Sequence, residues 1–158
     1  MKFNREQALE IFDNFIFIMD DQLEWLESEA KKAGIILKQE PEYLSNLENL
    51  FDYLSNNEND DTIEGLIIAF ARYLGETFIN HYGGKWKLSL ENEKNVYFNT
   101  PVIAEYNSIN NLEFSPIFAI RAYSIHKEKG TLKSIVNETI KPTELDLTDL
   151  IAMEKKPD

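Results

Sequence analysis

Apolar residues recur along this chain with two different periods. From Ile63 to Tyr82 the period is helical. Ile63, Leu66, Phe70, Tyr73, Leu74, Thr77 and Phe78 share one face, and Ile67, Ile68, Ala71, Gly75 and Ile79 widen it. Arg72, Glu76 and Asn80 form a narrow polar window. A helix apolar around most of its circumference is a buried one, so the pattern predicts a central buried helix over about 62–82. Asp60, Asp61 and Thr62 offer N-cap oxygens at its start, and Gly83-Gly84 allows the chain to leave it. Gly65 and Gly75 each cost about 1 kcal/mol against alanine inside a helix, which predicts an element packed close at each. Glu64, Arg72, Glu76 and His81 interrupt the run too often for a membrane span.

Helical spacing also runs from Asn4 to Gly34, read as one long helix with Asn4 and Gln7 as a capping box. Ala8, Ile11, Phe12, Phe15, Met19, Leu23, Leu26 and Ala30 make its expected buried stripe. A second helix opens at Pro41 and continues to about Ser55. Three helices with short connections predict antiparallel neighbours. After Gly84 the period falls to two, with Trp86, Leu88 and Leu90 on one face. Val96–Phe98 and Val102–Tyr106 read as further strand, bent at Pro101. Ser115-Pro116 signals a helix ending at Gly130, residues 131–140 lean to helix, and Thr143–Met153 reads as a short terminal helix. The expected architecture is α+β in a single domain, 1–158: a group of three N-terminal helices, a small antiparallel sheet over about 85–106, and C-terminal helices.

Charge adds an asymmetry that the periodicity does not contain. The net charge is −12. Residues 1–62 carry 5 basic and 15 acidic side chains, and residues 63–158 carry 11 and 13. Almost all of the surplus therefore lies in the first two-fifths of the chain. Nucleic acid and anionic membrane are disfavoured as partners, because both need basic surface, whereas a basic protein partner is favoured. The absence of cysteine excludes disulfides, cysteine-based zinc sites and thiol catalysis. The opening MKFNREQALEIF lacks the apolar run of a signal peptide, and a cytoplasmic location is expected.

One residue breaks the first helix's pattern. On the helical wheel Phe17 falls in the middle of the acidic face, with Asp13 and Asp21 four positions either side, Asp20 three on, and Glu10 and Glu24 seven away. An exposed aromatic ringed by carboxylates has the composition of a hot spot for a basic surface, an apolar anchor with a charged rim. Glu10, Asp13, Phe17, Asp20, Asp21 and Glu24 are thus the candidate partner-binding residues. Coverage by another segment, or a bend in the helix, would remove this reading.

Signals for chemistry are weak. His81 and His126 lie in no metal-binding spacing and read as helix-end residues. No phosphate-binding or nucleophile-elbow motif occurs. Asp20, Asp21 and Glu24 offer oxygen ligands, but one helix surface converges too few of them on an ion, so no metal and no cofactor is expected. Glu76 is the best candidate for carboxylate chemistry, and its spacing of four pairs it with Arg72. An enzyme using Glu76, and a self-associating structural module, stand as alternatives to a binding protein.

The run Tyr73-Leu74-Gly75-Glu76, Gly83-Gly84-Lys85-Trp86, Thr100-Pro101-Val102-Ile103 and Phe114-Ser115-Pro116 resembles a family of small bacterial proteins sharing YLGE, GGxW, PVI and FxP. The resemblance covers about residues 66–130, leaves the N-terminal helix outside, and implies no catalytic residues. By analogy, small acidic proteins of this kind resemble the immunity proteins that neutralise bacterial toxins. Physically the motif reads as packing, with Gly75 admitting a neighbour and Trp86 starting a strand against the helix.

Overall fold

The computed structural model describes residues 2–108 and 112–141. Helix α4 (Asp60–Tyr82) is its centre, as the periodicity predicts. Its cap is Asn59, one residue earlier than the expected aspartates: the Asn59 side chain accepts from the Thr62 N–H at 2.8 Å, which leaves Asp60 and Asp61 in the first turn beside the helix dipole. Gly83, at φ 84°, ends it. Helices α2 (Met19–Ala33), α3 (Leu44–Ser55) and α5 (Pro116–His126) pack around it. Leu26, Phe51, Phe70, Tyr73, Phe78 and Tyr123 are fully buried in one continuous core, each worth roughly 1.5–3 kcal/mol relative to exposure. Pro41 opens a 3-10 turn, Pro41–Tyr43, that leads directly into α3.

A three-stranded antiparallel sheet covers the C-terminal half of α4. Its strands are β1 (Lys85–Leu88), β2 (Pro101–Ala104) and β3 (Glu113–Phe114), in that order across the sheet. Trp86 stands opposite Ile103, and Ile103 opposite Phe114. Pro101 is the first residue of its strand, where its missing N–H costs least. The expected strand at Val96–Phe98 is not formed, and the sheet takes its third strand from beyond the expected limit of 106. Residues 91–100 are a series of turns held by asparagines. Asn92 Oδ1 accepts from the Lys94 N–H and Asn95 Oδ1 from the Tyr97 N–H, local bonds that compete with a ladder.

Gly75 is the contact between helix and sheet. A Cβ there would lie 2.1 Å from Trp86 Cζ2, so the bare helix backbone is what lets the indole lie against it. Gly65 differs from expectation, with nothing within 4 Å of its Cβ position.

The first helix is not continuous. Helix α1 (Arg5–Phe17) stops at Ile18, whose φ of −90° and ψ of 9° leave the helical region, and α2 begins at Met19. The Ile18 N–H still reaches Asn14 O and the Ile18 carbonyl still accepts from Gln22, so the interruption is a kink. It divides the expected stripe. Met19, Leu23, Leu26 and Ala30 are buried as expected, but on α1 only Ala8 and Phe15 are, and Ile11 is 65% exposed.

At the other end Ser115 caps α5 by accepting from the Phe118 N–H, and Pro116 occupies the first turn. The helix ends at Lys127, in the left-handed region at φ 54°, and not at Gly130. Lys127 Nζ is held there by Asp52 Oδ1 at 3.2 Å and Ser55 Oγ at 3.2 Å. Residues 131–141 form helix α6, in line with the expectation for 131–140. Buried Glu48 of α3 caps it, accepting from the Gly130 and Leu132 N–H groups at 2.9 and 3.0 Å. The helix expected over Thr143–Met153 lies outside the described residues.

Candidate functional site

Phe17 is the last residue of α1 and the most exposed large apolar side chain among the described residues, at 85%. Glu10, Asp13, Asp20, Asp21 and Glu24 are all exposed. Glu10 and Asp13 share the Phe17 face of α1 by spacing of seven and four. Asp20 and Asp21 fill the first turn of α2, where Ile18 supplies no side-chain cap and negative charge complements the exposed N–H groups. None of the five carboxylates forms an ion pair among the described residues. Some acids elsewhere are matched: Lys85 with Glu105, Lys87 with Glu91, Arg121 with Glu64, and Lys127 and Lys129 with Asp52. The kink is the bend that breaks the continuous wheel. Glu10 and Asp13 keep the Phe17 face of α1, whereas Asp20, Asp21 and Glu24 belong to α2 beyond it. The arm therefore carries unpaired carboxylates on both sides of the break and not one ring of them around Phe17.

Arg72 makes the kink. The Phe15 carbonyl, which a straight helix would pair with the Met19 N–H, accepts from Arg72 Nε at 3.1 Å. Arg72 Nη1 donates to Gln22 Oε1 on the far side of the break, and the guanidinium lies 4.4 Å from the Phe15 ring centroid. A side chain inserted into the main-chain ladder is a recognised cause of helix kinks. Arg72 is buried, and burial pulls its pKa below the ordinary arginine value. Both of its hydrogen-bond acceptors are neutral. The expected pairing with Glu76 does not form, because Glu76 Oε2 accepts from Trp86 Nε1 at 3.1 Å. The polar window of α4 thus turns inward in two directions, one toward the α1–α2 junction and one toward the sheet. Trp86 joins them, with its ring 5.0 Å from Phe15, edge to face. Sequence reasoning missed the split because a spacing of four favours the local partner. The available signal was a permanent cation in a helix apolar around most of its circumference.

Two clefts flank α1. One, of about 320 Å³, has Arg72 in its wall together with Ile11, Phe12, Leu88 and Ile117. The other, of about 1220 Å³, lies over β1 and holds Trp86 and a small polar network. There Ser89 Oγ donates to Glu113 Oε2 at 2.9 Å and Asn95 Nδ2 to Glu113 Oε1 at 2.9 Å. His81 is exposed, with its ring against Tyr82, and His126 is exposed at the end of α5. Among the described residues no group of three His, Asp or Glu side chains converges as metal ligands, and no helix is long and apolar enough to cross a membrane. Comparison with family models, curated proteins and solved structures finds no match to the chain.

Proposed function

We propose that this protein is a non-enzymatic cytoplasmic binder of a basic protein partner, and that the kinked α1–α2 arm is its docking face. The 85% exposure of Phe17 carries the reading, because an aromatic ring left in water beside unpaired carboxylates has no packing role in its own fold. Association would bury the ring while Glu10, Asp13, Asp20, Asp21 and Glu24 steer and orient the cationic surface. Inhibition of a toxin domain, in the manner of an immunity protein, is the role such a surface fits. The steering part should weaken with added salt.

The test compares the wild type with a variant carrying Phe17→Ala, Asp13→Lys, Asp20→Lys and Asp21→Lys. All four positions are exposed. The lysines at 20 and 21, set against the dipole at the uncapped start of α2, should lower stability by about 1–2 kcal/mol, so thermal melting first checks that the variant is folded at the capture temperature. Cross-linked capture, read by mass spectrometry, should recover a basic protein with the wild type and lose it with the variant. Equal recovery of the same protein by both would remove this face from the account.

A further inference from the structure

The smaller cleft beside α1 holds a charge that the docking face does not use. Arg72 is the most buried of the cations in the described ion-pair and cation–ring contacts, and it has no carboxylate partner among the described residues. In a chain with 28 acidic side chains, that is a marked omission, since a buried charge is ordinarily paired. Its acceptors are a carbonyl and an amide, bound through Nε and Nη1. Nη2 donates to no acceptor among the described residues, which leaves half of the guanidinium fork open to a ligand.

The surroundings define what kind of ligand. The cleft holds about 320 Å³ and is walled by Ile11, Phe12, Ile68, Leu88 and Ile117. Its other polar side chains, Asn14 and Asn99, are uncharged, and no acidic residue lines it. A mostly apolar cavity of this size with a single convergent cation matches small-molecule sites in general. One cation suits a monoanion. The apolar walls suit a hydrocarbon tail, and they exclude a multiply charged phosphate, which needs several donors. We infer that this cleft binds a small amphipathic monocarboxylate, its carboxylate on Arg72 and its tail between α1 and the sheet. None of the chain's own carboxylates lines the cleft, so none opposes the ligand by direct contact.

Sodium octanoate and 1-octanol, titrated into the full chain and followed by amide and arginine Nε NMR, separate charge from tail. Octanoate should saturate, moving the Arg72 Nε–H and the amides of Ile11, Phe12 and Leu88, and octanol should bind at least about tenfold more weakly. Equal affinity for the two, or no saturation by octanoate, overturns the inference. Arg72→Gln should abolish the preference, but it also removes a contact of the kink. Ile11→Glu therefore carries the decisive arm. Its position is 65% exposed, so the fold tolerates it, and it places a carboxylate at the mouth of the cleft. Octanoate binding should fall at least about tenfold in this variant with thermal melting retained, and unchanged binding sinks the proposal.

Discussion

Asp52 gathers three donors from the far end of the chain. Tyr123 OH reaches Oδ2 at 2.8 Å, Lys127 Nζ reaches Oδ1 at 3.2 Å, and Lys129 Nζ reaches Oδ2 at 2.5 Å. Burial pushes this carboxyl up, and the bonds from Lys129, Tyr123 and Lys127 more than reverse it, so its pKa lies below the ordinary 3.8. A carboxyl depressed in the folded state contributes stability that is present above the unfolded pKa and lost as pH falls through the folded one. Asp52→Asn should therefore lower stability at neutral pH, by no more than about 1 kcal/mol given the cluster's exposure. The variant should also lose less stability than the wild type between about pH 4 and pH 2. Urea midpoints across that range decide it, and parallel acid losses would exclude Asp52 as a source. Nothing at residues 49–55 foretells these partners, which lie 71 to 77 positions away. Phe17 was legible for the opposite reason. Its exposure follows from its place on the wheel, which needs only local geometry, and the kink begins just after it.

Elements were readable where one face or one period dominates. The long helix α4 and the first strand follow directly from spacing, and so does the Ser115-Pro116 helix start. The failures have local causes too. Asn92, Asn95 and Asn99 look unremarkable among strand-like Val96, Tyr97 and Phe98, yet the side chains of Asn92 and Asn95 bond the backbone into turns and Asn99 takes a left-handed φ of 59°. The single helix expected over Asn4–Gly34 becomes two because a residue 57 positions away takes the Phe15 carbonyl. The two glycines inside α4 separate packing from propensity. Gly75→Ala gains about 1 kcal/mol of helix propensity but drives a methyl into the Trp86 ring, and overpacking of this kind costs typically 1–3 kcal/mol. A Cβ separation of 2.1 Å places it at or beyond the upper end, so the net effect should be destabilising. Gly65→Ala meets open space and should stabilise by up to about 1 kcal/mol. Chemical denaturation of the pair should give opposite signs, and matching signs would refute the close approach at Gly75.

For the whole molecule, the class was legible and the wiring was not. Alternation after Gly84 and helical spacing before it are enough for α+β, and counting charges is enough to find the acidic arm. How α3 is joined to α5 and α6 is invisible to any window, because it rests on single side chains. Glu48 is the clearest case, capping α6 across 82 and 84 positions. That reach has a kinetic consequence. Closing so long a loop is entropically costly and comes late on the path, so the Glu48 clamp should form after the rate-limiting step. Glu48→Ala should then leave the refolding rate nearly unchanged while accelerating unfolding, which a stopped-flow chevron resolves; a slowed refolding arm would place the clamp in the nucleus instead. During synthesis the same order holds by necessity. The Glu48 carboxylate leaves the ribosome long before Leu132 exists, so it waits in water, and the core beside it stays unsealed until the last quarter of the chain has emerged.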